Sequence, residues 1–352
     1  MNADARASGQ NLEVQPRDSV RAARSRKRAL AVMTMPAQGT TWRRLQVFSL
    51  AALVIVAFLL LAYPKPALLI FWNAVVPVLP LSFLLAPGVW RSICPLATLN
   101  MMGAGIGTRR LSPIVSRATG APSIALLAAL VPARHFALNA QAASLVSLLV
   151  LCAVVAAVCG VVHDAKAGFC NAICPLLPVE RLYGQRPLFH VGNPRCAPCT
   201  LCTPRGCLDL APSKSIMQVL GPARRSMLWL TSAFGVFATG FPGFIVGYFQ
   251  AADTTPAHAL EVYGIILLGA ALSWAAVNLA VRTLRIPSSV ALPALAACSA
   301  GAYYWYATPR SLDALGAAPV VGLSLRWVLV AGVAVWGMFA VAPAITRRTP
   351  VA

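Results

Sequence analysis

Cysteines are the residues in this chain whose types and spacing could do chemistry. Of ten in 352 residues, four fall in Cys196-Ala-Pro-Cys199-Thr-Leu-Cys202-Thr-Pro-Arg-Gly-Cys207. Three thiolates at successive two-residue spacings can wrap one face of an iron–sulfur cubane, each reaching a different iron. Bacterial ferredoxins use C-x2-C-x2-C-x3-C-P, where the fourth cysteine often serves a second cluster. Here the last spacing is one residue longer and no proline follows Cys207. Upstream, Gly168-Phe-Cys170-Asn-Ala-Ile-Cys174-Pro175-Leu176 supplies a Cys-Pro step. Its proline fixes φ and removes an N–H, which turns the chain away from the site. Either Cys174 or Cys207 can complete the set begun by Cys196, Cys199 and Cys202.

Gly88-Val-Trp-Arg-Ser-Ile-Cys94-Pro95-Leu96 echoes the second motif. Glycine, isoleucine, cysteine, proline and leucine recur in register, with Trp90 where the other copy has Cys170. Cys94 is therefore a further candidate ligand, beside Cys170 and Cys174. A zinc site would pair two C-x2-C units across a longer spacer, which this spacing does not do. Cys152, Cys159 and Cys298 lie inside apolar runs and read as packing residues, since buried cysteine behaves as a small hydrophobe.

The elements that must position these thiols are membrane spans. The chain is 59% hydrophobic and 11% charged, against about 45–50% and about 25% for a soluble domain. A net charge of +20 could suit nucleic acid. However, the basic residues gather in an N-terminal tail and at the ends of apolar runs, so nucleic acid is not the expected partner. Spans of ~20 apolar residues are predicted at 45–63, 67–87, 122–138, 141–162, 226–249, 259–281, 287–306 and 323–345. Pro77 and Pro80 are expected to kink the second. The first run has neither the short core nor the small-residue cleavage site of a signal peptide.

Lysine and arginine set the orientation. With the N-terminus inside, the outer loops hold Lys65, Arg134, Arg310 and Arg326, and the inner ones nearly all the rest. Removing the short third span would invert every later span and destroy this bias. The expected organisation is a basic, disordered tail over 1–42, four spans over 43–162, an iron–sulfur loop over 163–225, four more spans over 226–346 and a tail over 347–352. The fold class is thus an all-α polytopic protein of the inner membrane, with about eight spans, a cytoplasmic ferredoxin-like cysteine loop and both termini cytoplasmic. Met33 and Met35 offer later starts for the chain. Lys166, Arg181, Arg186, Arg195, Arg205 and Lys214 make the cysteine loop basic, which would favour the reduced form of an anionic cluster. The histidines suggest little: His135 and His163 fall at opposite span ends, and no pair faces across a bundle as haem ligation needs. There is no nucleophile–base set, and Gly103-Ala-Gly105-Ile-Gly107 has the wrong spacing for a dinucleotide fingerprint.

The Cys-x3-Cys-Pro step followed by Cys-x2-Cys-x2-Cys, flanked by spans, resembles the membrane-bound ferredoxin-type proteins of the NapH/NosR type. Cys170, Cys174, Pro175, Pro178, Glu180 and Tyr183 carry most of the likeness, with Cys196–Cys207. The resemblance covers roughly residues 45 to 225. It implies [4Fe–4S] clusters and electron traffic between the quinone pool, or a cytoplasmic donor, and a partner redox protein. Seven candidate ligands are one short of two all-cysteine cubanes, so one cluster is expected and a second would have an odd ligand. An assembly factor or redox sensor could use the same cluster. A transporter reading lacks the buried acids expected near the midplane.

Overall fold

The computed structural model describes residues 33–36, 40–102, 120–163, 166, 168–192, 208–209 and 212–346. The expectations for the tails (1–32 and 347–352), for the 103–107 glycines and for Cys196, Cys199, Cys202 and Cys207 fall outside those residues.

Helix dominates. The long elements are α1 (Thr40–Ala62), α2 (Pro64–Leu85), α6 (Ala142–Val162), α9 (Ala233–Gln250), α10 (Ala259–Thr283), α11 (Ser288–Ala314) and α12 (Pro319–Thr346). Short helices α3 (Pro87–Ile93), α4 (Pro95–Met102), α5 (Ala121–Leu130), α7 (Leu177–Tyr183) and α8 (Pro212–Leu220) fill the connections. Strands β1 (Met33–Pro36) and β2 (Phe189–Gly192) form a two-stranded sheet. Among the described residues six helices are long and apolar enough to cross a membrane, which makes the chain a multi-pass membrane protein.

Three predicted spans take other forms. Residues 122–138 are not one helix: α5 stops at Leu130, and a 3-10 turn follows over Pro132–His135. Pro132 has no N–H to continue the ladder, and its ring disfavours helix at the preceding turn. The 226–249 span begins later, because Gly221–Arg225 and Met227–Thr231 are 3-10 turns. Ser232 then caps α9, its hydroxyl accepting from the Gly235 N–H at 3.0 Å; such a cap satisfies a donor that the first helical turn leaves orphaned. The 287–306 span extends to Ala314 as α11 and is less apolar, with Ser299, Tyr304 and Thr308 buried in the bundle. In α2 the prolines do not end the helix. A π-turn over Phe71–Val75 shifts the register ahead of Pro77, and the Tyr304 hydroxyl donates to the Pro77 carbonyl at 2.9 Å.

The largest core runs through α9, α10, α11 and α12, with Phe234, Phe237, Phe241, Phe244 and Tyr248 stacked along one face of α9. Glycines let α9 meet α10. A Cβ on Gly243 would stand 2.0 Å from the Gly269 carbonyl oxygen, which is backbone and cannot yield. Small residues commonly permit such close approach between membrane helices. Gly243→Val is therefore expected to destabilise the fold by about 2 kcal/mol or more through overpacking, read as a lower unfolding midpoint in detergent. Gly264→Val, at a position with open space around it, is the comparison and should change the midpoint little.

Candidate functional site

The two motif copies differ before the cysteine, helical over Pro87–Ile93 and a run of turns over 168–173, but both break at the Cys-Pro step. A residue before proline is pushed out of the helical region, so α3 ends where Cys94 turns extended (φ −53°, ψ 126°) and α4 begins at Pro95. The same step at Cys174-Pro175 precedes α7. Each cysteine thus sits at a hinge with free backbone N–H groups ahead of it. The N–H groups of Leu96 and Ala97 face the Cys94 thiol, and that of Leu176 faces Cys174.

The two copies meet. Arg91 of the first and Asn171 of the second occupy the same register position eighty residues apart, and the Arg91 Nη2 donates to the Asn171 Oδ1 at 2.8 Å. The same guanidinium donates from Nε and Nη2 to the Asp209 Oδ2 at 3.0 and 2.8 Å, and from Nη1 to Glu180. Lys166 donates to the Asp209 Oδ1 and to the Arg91 carbonyl, both at 2.7 Å. All four charged side chains are at most 4% exposed. Two cations and two carboxylates leave the group neutral, and each charge lost from water has found a partner. Burial opposes ionisation of Asp209, but Arg91 and Lys166 outweigh it and hold its carboxyl well below the usual range. The basicity that the sequence suggested for a cluster is therefore compensated at Lys166, which is engaged by Asp209.

This join gathers three of the predicted ligands. Cys94, Cys170 and Cys174 pack in one small apolar cluster with Phe169, Ala97, Ala156 and Cys159. The Cys170 thiol lies 3.9 Å from the Asn100 Oδ1. Burial pushes the Cys170 thiol up to about 12, against the opposing pull of Arg91 and Lys166. Burial likewise raises Cys94 and Cys174. Such thiols are inert nucleophiles, and they bind metal only by surrendering their protons. Among the described residues no three Cys, His, Asp or Glu side chains stand close enough to hold a single metal ion. A cubane presents its thiolates at separate corners and asks for wider spacing than one ion does. The apolar pocket, the N–H groups facing sulfur and the three thiols fit it in kind.

Described residues on either side of the 193–207 segment lie against α3. Before it, Val191 of β2 lies against Gly88, where a Cβ would come within 2.8 Å of the Val191 carbonyl oxygen. After it, Leu208 is fully buried and Asp209 is bound to Arg91. The helix that ends at Cys94 thus contacts residues on both sides of the segment that carries the other four cysteines.

Sequence reasoning missed Arg91, Asn171 and Asp209 as partners. The signal for the first two was the motif register itself, which aligns Arg91 with Asn171. Cys159, expected to be a packing residue, packs in the same apolar cluster, whereas Cys298, expected to pack likewise, is exposed.

Arg91→Met leaves Glu180 buried without its counter-charge and Asp209 with Lys166 alone, and should cost about 3–5 kcal/mol. Thermal unfolding in detergent checks this, with the exposed Arg43→Met expected to cost nothing measurable. Asp209 has a depressed folded pKa, so its contribution is complete above its ordinary value of 3.8 and is lost only as pH falls toward the folded value. The Arg91 and Lys166 values are raised, so theirs is lost only in strong alkali. Stability from this network should therefore be flat between about pH 5 and pH 9.

No protein-family model, curated protein or solved structure matches this chain.

Proposed function

We propose that this chain is a membrane-bound iron–sulfur protein that carries electrons between the quinone pool, or a cytoplasmic donor, and a partner redox enzyme. One observation supports the reading above others: Arg91 joins the two Cys-Pro motifs and, through Asp209, fixes the end of the Cys196–Cys207 segment beside them. Cys94, Cys170 and Cys174 share one end of the bundle, and in this reading Cys196, Cys199, Cys202 and Cys207 join them in holding iron. We assign a [4Fe–4S] cluster to Cys196, Cys199 and Cys202 with Cys207 or Cys174 as the fourth ligand; where Cys207 is the fourth, Cys94, Cys170 and Cys174 are the thiols of a second site. Bound there, such a cluster supplies one-electron transfer. The chain's own part is to exclude water with Phe169 and Ala156, to aim N–H groups at sulfur, and to hold the two motifs in register through buried ion pairs.

The membrane arrangement that goes with this reading has eight passes, both termini cytoplasmic and the cysteines on the cytoplasmic face of the inner membrane. It draws support from which ends of the helices touch. The motif end holds the Gln46–Ser92, Asn100–Ala156, Ser123–Ala172 and Ser288–Arg224 hydrogen bonds. The opposite end holds His135–Asp253 and Arg310–Phe249, with Arg134 over Trp72. The segment from Ser123 to His135 thus leads from one end to the other, although α5 is too short to cross alone. α11 leads from Ser288 at the motif end to Arg310 at the other. With these two segments added to the six apolar helices, the lysine and arginine bias favours the motif end as the inner one.

Protein purified without oxygen should contain iron and acid-labile sulfide, and give an EPR signal after dithionite. Cys199→Ser should abolish the signal of the first cluster, and Cys298→Ser should leave it unchanged. Zinc without iron would overturn the proposal. For topology, alkaline phosphatase fused after Gly316 should be active and after Leu284 inactive; the reverse pattern would place the cysteines outside.

A further inference from the structure

A cavity of about 800 Å³ lies between the helices. Its walls are mostly apolar and aromatic, including Phe83, Tyr183, Phe241 and Phe244, and it reaches from Pro175 and Leu176, beside Cys174, to the opposite end of the bundle. A drug-sized or lipid ligand typically occupies about 300–1,000 Å³ of such a space, oriented by a few polar groups.

The polar groups are gathered at that opposite end. Trp72, Arg134, His135, Tyr248 and Asp253 all line the cavity there. The Arg134 guanidinium lies 5.0 Å from the centre of the Trp72 ring and 5.8 Å from that of Tyr248. The His135 and Tyr248 ring centres are 4.5 Å apart. Three buried nitrogens in this group have no hydrogen-bond partner: Trp72 Nε1, Arg134 Nε and His135 Nε2. His135, itself 5% exposed, places Nδ1 2.6 Å from the Asp253 Oδ1. An ionised Asp253 accepts there, so Nδ1 carries a proton.

Buried polar groups are nearly always paired, and an unpaired one costs about 1–3 kcal/mol. Three together on one cavity wall are better explained by a ligand than by chance. The two unpaired N–H groups call for acceptor oxygens, and the aromatic length of the cavity calls for a hydrocarbon tail. Asp253 offsets one of the two guanidiniums, Arg134 and Arg310, that line the cavity, and a neutral carbonyl oxygen meets an N–H without adding a charge. We propose that this cavity binds an uncharged amphiphile whose head carries carbonyl oxygens, with the head held by Trp72 and Arg134 and the tail lying toward Leu176. A ring dione on a hydrocarbon tail and an acyl ester share that chemistry. The site owes nothing to the iron–sulfur proposal, since no cysteine takes part in it.

The test is equilibrium binding to the purified full-length protein in detergent, followed by calorimetry. One probe is a benzoquinone with a ten-carbon tail, and the other a diacylglycerol of matched length. At least one should bind, and which of them binds separates the two sources. Trp72→Phe keeps the ring and removes only the N–H, so affinity for that probe should fall about fivefold to tenfold, the worth of one buried hydrogen bond. Arg134→Gln should weaken binding at least as much. Leu260→Ala, on an 86% exposed side chain outside the cavity lining, should bind as the unaltered protein does. Cys199→Ser should also bind normally, so loss of the cluster and loss of this site give different results. Failure of both probes to bind would overturn the proposal. So would binding unchanged in both Trp72→Phe and Arg134→Gln, or displacement of either probe by phosphatidylglycerol equally well in all variants.

Discussion

A single guanidinium buried at the motif end carries the arrangement around the cysteines. Arg91 is 3% exposed and satisfies two carboxylates and one amide from three separate stretches of chain. A charge in so apolar a region is tolerable only when every donor is met, so its partners are fixed as tightly as it is. Asn171 sets the second motif against the first. Glu180 sets α7, and Asp209 sets the return of the chain after Cys207. The geometry of the thiols depends on this: Cys94 and Cys174 are hinge residues three positions beyond Arg91 and Asn171, and they meet because those two do.

The join brings the two copies of the motif echo together. Each copy pairs a glycine that admits close backbone approach with a Cys-Pro hinge and a short helix. At Gly88 the space is taken by Val191, and at Gly168 by His163 and Cys159. The copies have diverged where they touch. One offers a charged donor, Arg91, and the other a neutral acceptor, Asn171, which lets like positions bond rather than repel. Trp90 replaces a thiol and packs edge-on against Phe83 instead. The first copy thus holds Cys94 as its one sulfur.

Much of this was legible in the sequence. Long apolar runs give α1, α2, α6, α9, α10 and α12, because length and hydropathy alone decide such segments. The motif echo pointed to Cys94 beside Cys170 and Cys174 as candidates. What could not be read was pairing across distance. Asp209 looks like any loop acid until Arg91 and Lys166 are seen to enclose it, and His135 looks like an interfacial histidine until Asp253, over a hundred residues on, is found at its Nδ1. Residues 122–138 misled because apolar length cannot reveal that Pro132 ends the helix. Trp72 was invisible as a polar group, since its indole N–H matters only where helices from both halves of the chain enclose a cavity.

In the proposed arrangement Cys94, brought in by Arg91, shares an iron–sulfur site with Cys170 and Cys174. The most direct measurement of this compares iron per chain and the dithionite-reduced EPR spectrum of the anaerobically purified protein with those of Cys94→Ser. The variant is expected to lose iron, or to show an altered spectrum and a shifted midpoint potential, while Cys152→Ser matches the unaltered protein. Iron content, spectrum and potential all unchanged in Cys94→Ser would contradict the shared site.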